Sequence, residues 1–157
     1  MQIYLLRHGI AEDPGPGVSD ADRALTPEGK EKLRRVLRRA RLQPSLILSS
    51  PYQRAAETAA LAAEVLGYTG KVVRISALVP GASPYELWDE LRARKEEAAV
   101  LLAGHEPLMS TLAAFLLDSP ALRVDMKKAA LLRIDCDRLG SRPGGVLKWM
   151  LTPAVSE

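Results

Sequence analysis

The stretch Ile3-Tyr4-Leu5-Leu6-Arg7-His8-Gly9 decides how this chain is read. Four apolar residues run straight into a cation, an imidazole and a glycine, with no turn residue between them. A short unbroken apolar run of this kind fits a strand buried on both faces of a sheet. Ligands of such sheets bind beyond the carboxyl ends of the strands. Arg7 and His8 are therefore expected on the ligand-binding rim, and Gly9 leaves room for close approach to the backbone.

A second stretch, Ala99-Val100-Leu101-Leu102-Ala103-Gly104-His105-Glu106-Pro107, repeats the layout. The chain has two histidines, and both fall at the expected carboxyl end of a buried strand. A third stretch, Leu46 to Arg54, places an arginine one turn into the helix that follows a strand. Any one of these residues alone reads as an ordinary polar group at a turn. Two histidines and two arginines on one rim make a coherent anion site.

These residues resemble the histidine phosphatase superfamily, and within it the small SixA-type phosphohistidine phosphatases. The matching blocks are Arg7-His8-Gly9, then Arg23-Ala24-Leu25-Thr26-Pro27-Glu28-Gly29. Ser50-Pro51-Tyr52-Gln53-Arg54-Ala55 with Thr58 follows, and then Gly104-His105-Glu106-Pro107-Leu108. The resemblance implies a phosphoglycerate mutase-like fold and His8 as nucleophile, forming a phosphohistidine that water hydrolyses. It implies that Arg7, Arg54 and His105 bind and stabilise the transferring group, and that Arg23 reaches the phosphate or the substrate. The implied substrate is phosphohistidine on a protein, such as a phosphotransfer domain. The chemistry is consistent: neighbouring arginines disfavour protonation of an imidazole and leave its lone pair free to attack. The acceptor that must pin the second nitrogen of His8 is not identifiable from sequence.

One departure from the superfamily bears on substrate. Many members carry an acid after the third strand, to protonate the leaving oxygen. Here Ala77-Leu78-Val79-Pro80-Gly81-Ala82 has none, and the SixA-type members share that gap. A labile phosphorus–nitrogen bond asks less of a general acid than an alkyl ester does. The alternatives are a small-molecule phosphomonoesterase of the same superfamily and a non-catalytic phospho- or nucleic-acid-binding module.

At 157 residues the chain suits one domain, 1–157, with a single core. A hydrophobic fraction of 47% and a charged fraction of 26% are ordinary for a globular protein. Arg7 and His8 interrupt the first apolar run too early for a signal peptide, and no run is long enough to span a membrane. A lone cysteine, Cys136, points to a reducing cytoplasm and to packing as a small hydrophobe. No Cys, His and carboxylate cluster has metal-ligand spacing, so neither metal nor other cofactor is expected.

Net charge is +3, and between Lys30 and Arg41 seven cations face one acid, Glu31. Without interleaved aromatics this reads as a solvated helix face, with Arg34, Arg35, Arg38 and Arg39 pointing away from the sheet rim; no nucleic-acid partner is expected.

Along the chain, residues 10 to 22 alternate proline and glycine with acids and read as a surface loop. Thr26-Pro27 starts a helix whose apolar face is Leu33, Val36, Leu37 and Ala40, ended by Pro44. Ser50 with Gln53, and Ser83 with Glu86, have capping-box spacing before helices from Pro51 to Leu66 and from Pro84 to about Lys95. Strands are expected at 46–48, 72–75 and 99–103, and a helix opens at Glu106-Pro107. Ala129 to Asp135 and Val146 to Leu151 form an antiparallel hairpin at the sheet edge. The expected class is α/β: a three-layer sandwich around a mostly parallel sheet.

Overall fold

Strand β1 (Gln2–Arg7) is buried from Ile3 to Leu6, and every residue of β4 (Ala99–Gly104) is buried. Two strands without a polar face can only lie side by side in the middle of a sheet covered on both sides. The structure, a computed structural model, describes residues 1–156 and shows that arrangement. Its six-stranded sheet also contains β2 (Leu46–Ser49), β3 (Val72–Arg74), β5 (Leu131–Asp135) and β6 (Val146–Leu151), in the order β3-β2-β4-β1-β5-β6. The first four of these positions are parallel, and β1 pairs with β4 in a register that sets Arg7 beside Gly104. Strand β5 runs antiparallel to β1, and β6 antiparallel to β5, as the hairpin expectation required.

Alternating side chains of each central strand point to opposite faces. On one face Tyr4, Leu6, Leu101 and Ala103 meet Leu33, Val36 and Leu37 of α1 (Pro27–Ala40) and Ala59 and Ala62 of α2 (Gln53–Leu66). On the other, Ile3, Leu5, Val100 and Leu102 meet Leu87, Trp88 and Leu91 of α3 (Pro84–Arg92) and Leu112 of α4 (Leu108–Leu116). Each fully buried leucine here contributes roughly 1.5–3 kcal/mol of transfer free energy. No helix among the described residues is long and apolar enough to cross a membrane.

Several boundaries differ from the sequence expectation for local reasons. Helix α1 ends at Ala40, ahead of Pro44, because Arg41 adopts a left-handed conformation (φ 52°). Helix α2 begins at Gln53 without a side-chain cap, so Ser50 does not form the expected capping box. Ser83 does cap α3, accepting from the Tyr85 N–H at 3.2 Å, but among the described residues no bond returns from Glu86. That helix stops at Arg92. Helix α4 begins at Leu108, and the Glu106 carboxylate accepts from the Ser110 N–H at 2.7 Å. Ala129 is a turn residue (φ 65°) rather than strand, and its N–H donates to the His8 carbonyl at 3.1 Å. Cys136 is buried just beyond β5.

Candidate active site

The carboxyl ends of β1, β4 and β2 converge, and three main-chain bonds hold the residues that follow them. The His8 N–H donates to the Gly104 carbonyl, the Ser50 N–H to the Ala103 carbonyl and the Arg7 N–H to the Ala130 carbonyl, each at 3.0 Å. Beyond His8 the chain passes under α1. A Cβ on Gly29 would meet the Ile10 carbonyl oxygen, so that position requires glycine for close backbone approach, and one on Gly9 would press on the Leu33 side chain. Thr58 of α2 clamps the turn, accepting from the Gly9 N–H at 3.2 Å and donating to the Arg54 carbonyl at 2.7 Å.

This framework brings His8, Arg54 and His105 together, at 6%, 6% and 1% exposure. The Nδ1 of His8 lies 2.7 Å from the Gly9 carbonyl, which can only accept, so that nitrogen carries the proton. The Gly9 main chain is therefore the acceptor that sequence could not identify. On the opposite side, Arg54 Nε donates to His8 Nε2 at 3.4 Å, and Nε2 holds the lone pair. Burial, with Arg54, Arg7 and Lys128 adding to it, pushes the His8 imidazole down to about 4, against the opposing pull of the Gly9 carbonyl. At neutral pH His8 is an unprotonated base aimed away from its own backbone.

The His105 ring centre is 5.2 Å from that of His8, and burial, then the neighbouring His8 and Arg54, push its pKa down to about 3. Ser50 is the residue that sequence reasoning placed wrongly. Its hydroxyl oxygen accepts from the Tyr52 N–H at 3.2 Å and lies 2.8 Å from His105 Nε2. Among the described residues the Ser50 hydroxyl has no other acceptor, so it donates to Nε2 and the His105 proton sits on Nδ1. That Nδ1 is buried and has no partner among the described residues, and neither has Arg7 Nε. Two such donors beside a lone-pair nitrogen suit an anion with several acceptor oxygens.

Both arginines are already partly engaged by the protein. Arg7 donates through one terminal nitrogen to the Met126 carbonyl at 2.7 Å. Arg54 donates to the Asp20 carbonyl at 2.7 Å and to its carboxylate at 3.2 Å. Asp20 also holds Arg23 at 2.9 Å, and Arg23 donates to the Glu12 carbonyl at 2.7 Å. Arg23 is thus tied to the site through Asp20. The hydrogen bond from Arg23, then Arg54, holds the Asp20 carboxyl below its ordinary range against partial burial, so it is ionised. Sequence reading treated the loop acids as surface charge; the only clue to Asp20 is its three-residue spacing from Arg23. Arg35 of α1 departs from expectation too. With Lys32 it lines a cleft that includes Arg7 instead of pointing away from the rim.

A pH profile follows from these groups. A reaction that uses the Nε2 lone pair of His8 should keep its kcat/KM as pH falls past 6.5 and lose it only near pH 4, where Nε2 takes a proton. Stability has a different window. Both histidines bind protons more readily unfolded, near 6.5, than folded, so stability should fall as pH drops from about 6.5 toward 4. Initial rates and thermal midpoints across pH 3.5–8 would check this, and an acid limb of kcat/KM near 6.5 would contradict it.

Comparison with known proteins bears on the family and the fold. The family profile of the histidine phosphatase superfamily (branch 1) matches residues 3–78. An uncharacterized protein of Picosynechococcus sp. is 32% identical over 137 residues, 84% of this chain and 83% of that protein. The structure of the protein histidine phosphatase SixA complexed with tungstate is 25% identical, with a TM-score of 0.83 and 98% of both chains covered. A mycobacterial glucosyl-3-phosphoglycerate phosphatase with inorganic phosphate is 21% identical, with a TM-score of 0.72 over 98% of this chain and 99% of that one. That second likeness shows the shared fold alone. The α/β architecture is the phosphoglycerate mutase-like one expected from the sequence blocks. By profile, relatives and fold, this chain belongs to the histidine phosphatase superfamily.

Proposed function

We propose that this phosphatase hydrolyses phosphohistidine on a protein, through a covalent phosphohistidine formed on His8. The observation that carries the reading is the lone pair of His8 Nε2, kept unprotonated 3.4 Å from Arg54 Nε. Nε2 attacks phosphorus in line with the phosphorus–nitrogen bond of the substrate, which breaks as the new bond forms. The departing imidazole of the substrate takes its proton from solvent. Water then attacks the phosphorus on His8, releasing inorganic phosphate and restoring the free imidazole. The transferring oxygens accept hydrogen bonds from Arg7 Nε, Arg54 and the His105 Nδ1–H, and the two guanidiniums balance the charge that develops. In this reading the arginines supply the positive charge, and a chelator should leave the rate unchanged.

The preference for a phosphorus–nitrogen bond rests on the missing acid. Residues 77–82 carry no carboxylic acid, and Asp20, the carboxylate bound to Arg54, is held ionised and cannot donate a proton. The test is phosphate release from a phosphohistidine-bearing protein, together with trapping of acid-labile phosphate on the enzyme. Arg7→Ala, Arg54→Ala and His105→Ala should each slow release by roughly 10²–10³, the scale of one preorganised donor, with the circular dichroism spectrum unchanged. Rates within threefold of wild type in all three variants would sink the proposed site.

A further inference from the structure

Beside the proposed catalytic groups lies a cleft of about 650 Å³ that extends away from Arg7. Its walls come from four parts of the chain: the end of β1 with Ile10 beyond it, α1, the loop that leads into β5, and the turn after β6 at Thr152 to Ala154. Among the described residues that line it, five are cationic (Arg7, Lys32, Arg35, Lys127 and Lys128) and none is acidic. Two of these cations, Lys32 and Lys127, pair with exposed acids. Lys32 meets Glu28 and Lys127 meets Asp125, each at 3.0 Å, with Glu28 and Asp125 largely in solvent. Exposed pairs of this kind are worth little and exchange readily for another anion. Lys128 is also near enough to help depress the His8 imidazole, so the cleft and the nucleophile share one positive field.

We propose that this cationic cleft docks acidic side chains flanking the phosphorylated residue of a protein substrate. The proposal rests on the phosphohistidine reading above and adds a specificity determinant to it. The construction of the cleft favours an acidic surface over a compact ligand. Small-molecule sites hold their ligand with a few convergent polar groups in an enclosed pocket. Here Lys127 and Lys128 are exposed on the rim, Lys32 is partly exposed, and the three lie on two separate segments. Flexible exposed lysines hold no single geometry, but they attract and orient an acidic surface on approach. His8 is 6% exposed, so the phosphorylated side chain must enter while its neighbours stay outside, where the lysines are.

The experiment compares two phosphohistidine peptides of equal length, one flanked by aspartate and glutamate and one by serine and glutamine. They are assayed on wild type and on the Lys32→Glu/Lys127→Glu/Lys128→Glu variant, with an aryl phosphate as reference. Wild type should prefer the acidic peptide in kcat/KM by about 10-fold or more at low ionic strength, fading as salt rises. The variant should lose or invert that preference. Equal rates on both peptides in wild type, or a preference that survives in the variant, would overturn the docking surface and leave the phosphohistidine reading standing. If neither peptide is turned over while the aryl phosphate is, both fall together. A sugar bisphosphate preferred over its monophosphate, with that preference lost in the variant, would overturn the proposal by assigning the cleft to a small ligand.

Discussion

Replacing His8 by alanine is expected to lower kcat by about 10⁴-fold or more, the scale on which covalent catalysis fails when its nucleophile is removed. Alanine deletes the Nε2 lone pair that forms the bond to phosphorus in the proposed mechanism, and no other group among the described residues is placed to supply it. His105 is the nearest substitute in kind, but the Ser50 hydroxyl occupies its Nε2 and its proton is on Nδ1. The fold should tolerate the change. The main-chain bonds of His8 to Gly104 and Ala129 do not involve the side chain. Removal of the side chain frees the Gly9 carbonyl and one Arg54 donor, both beside groups that can be hydrated once the ring is gone. The checks are single-turnover release of phosphate and phosphate trapped on the enzyme, beside the thermal midpoint. Trapped phosphate with near-normal turnover in His8→Ala would end the covalent mechanism assigned here.

The second large effect concerns the leaving group. In the proposed mechanism no carboxylic acid protonates it, so the rate should depend steeply on how well that group departs unaided. Phosphohistidine and activated aryl phosphates should be hydrolysed by orders of magnitude faster than a sugar phosphate, whose alkoxide leaves poorly. Glu106 follows His105 and lies near enough to act on Arg7, but its carboxylate accepts from the Ser110 N–H at 2.7 Å; three other carboxylates can be tested. Glu86 and Asp89 are exposed on α3, and Asp89 is 3.9 Å from Arg92. Asp20 touches Arg54 but is held ionised. Glu86→Gln, Asp89→Asn and Asp20→Asn should therefore leave the ratio of aryl to sugar phosphate turnover unchanged. Asp20→Asn can alter the absolute rate by loosening Arg54, whose bond to the Asp20 main-chain carbonyl remains. Sugar phosphate hydrolysis as fast as aryl phosphate hydrolysis, collapsing in one of these variants, would identify a carboxylic acid. The protein would then be a small-molecule phosphomonoesterase.

Much of the site was legible in the sequence because its residues sit at positions with a strong local signature. A short unbroken apolar run fits a buried central strand, so Ile3–Leu6 and Ala99–Ala103 put His8 and His105 on one expected rim before any coordinates. Arg54 followed from the strand–helix junction at Ser50 to Arg54, and the hairpin at the edge from the turn residues between Asp135 and Val146. The four-block resemblance, in order along the chain, carried the family.

What only the tertiary structure decided is which partner each polar group finds. Ser50 has the spacing of a helix cap and serves His105 instead, because β2 and β4 lie side by side and bring the two within 2.8 Å. Asp20 belongs to a loop with no periodicity, and its bonds to Arg54 and Arg23 span 34 and three residues, of which only the shorter leaves a trace in sequence. The proton on His8 is set by a main-chain carbonyl, which every residue possesses and no sequence distinguishes. Lys32 and Arg35 looked like part of an evenly charged helix; the packing of α1 against the turn after β6 selects them from the other cations to line the cleft beside Arg7. Local periodicity determines strands and helices from residues near in sequence. Hydrogen bonds and fields act over a few ångströms in space, and only the folded chain decides which residues those ångströms contain.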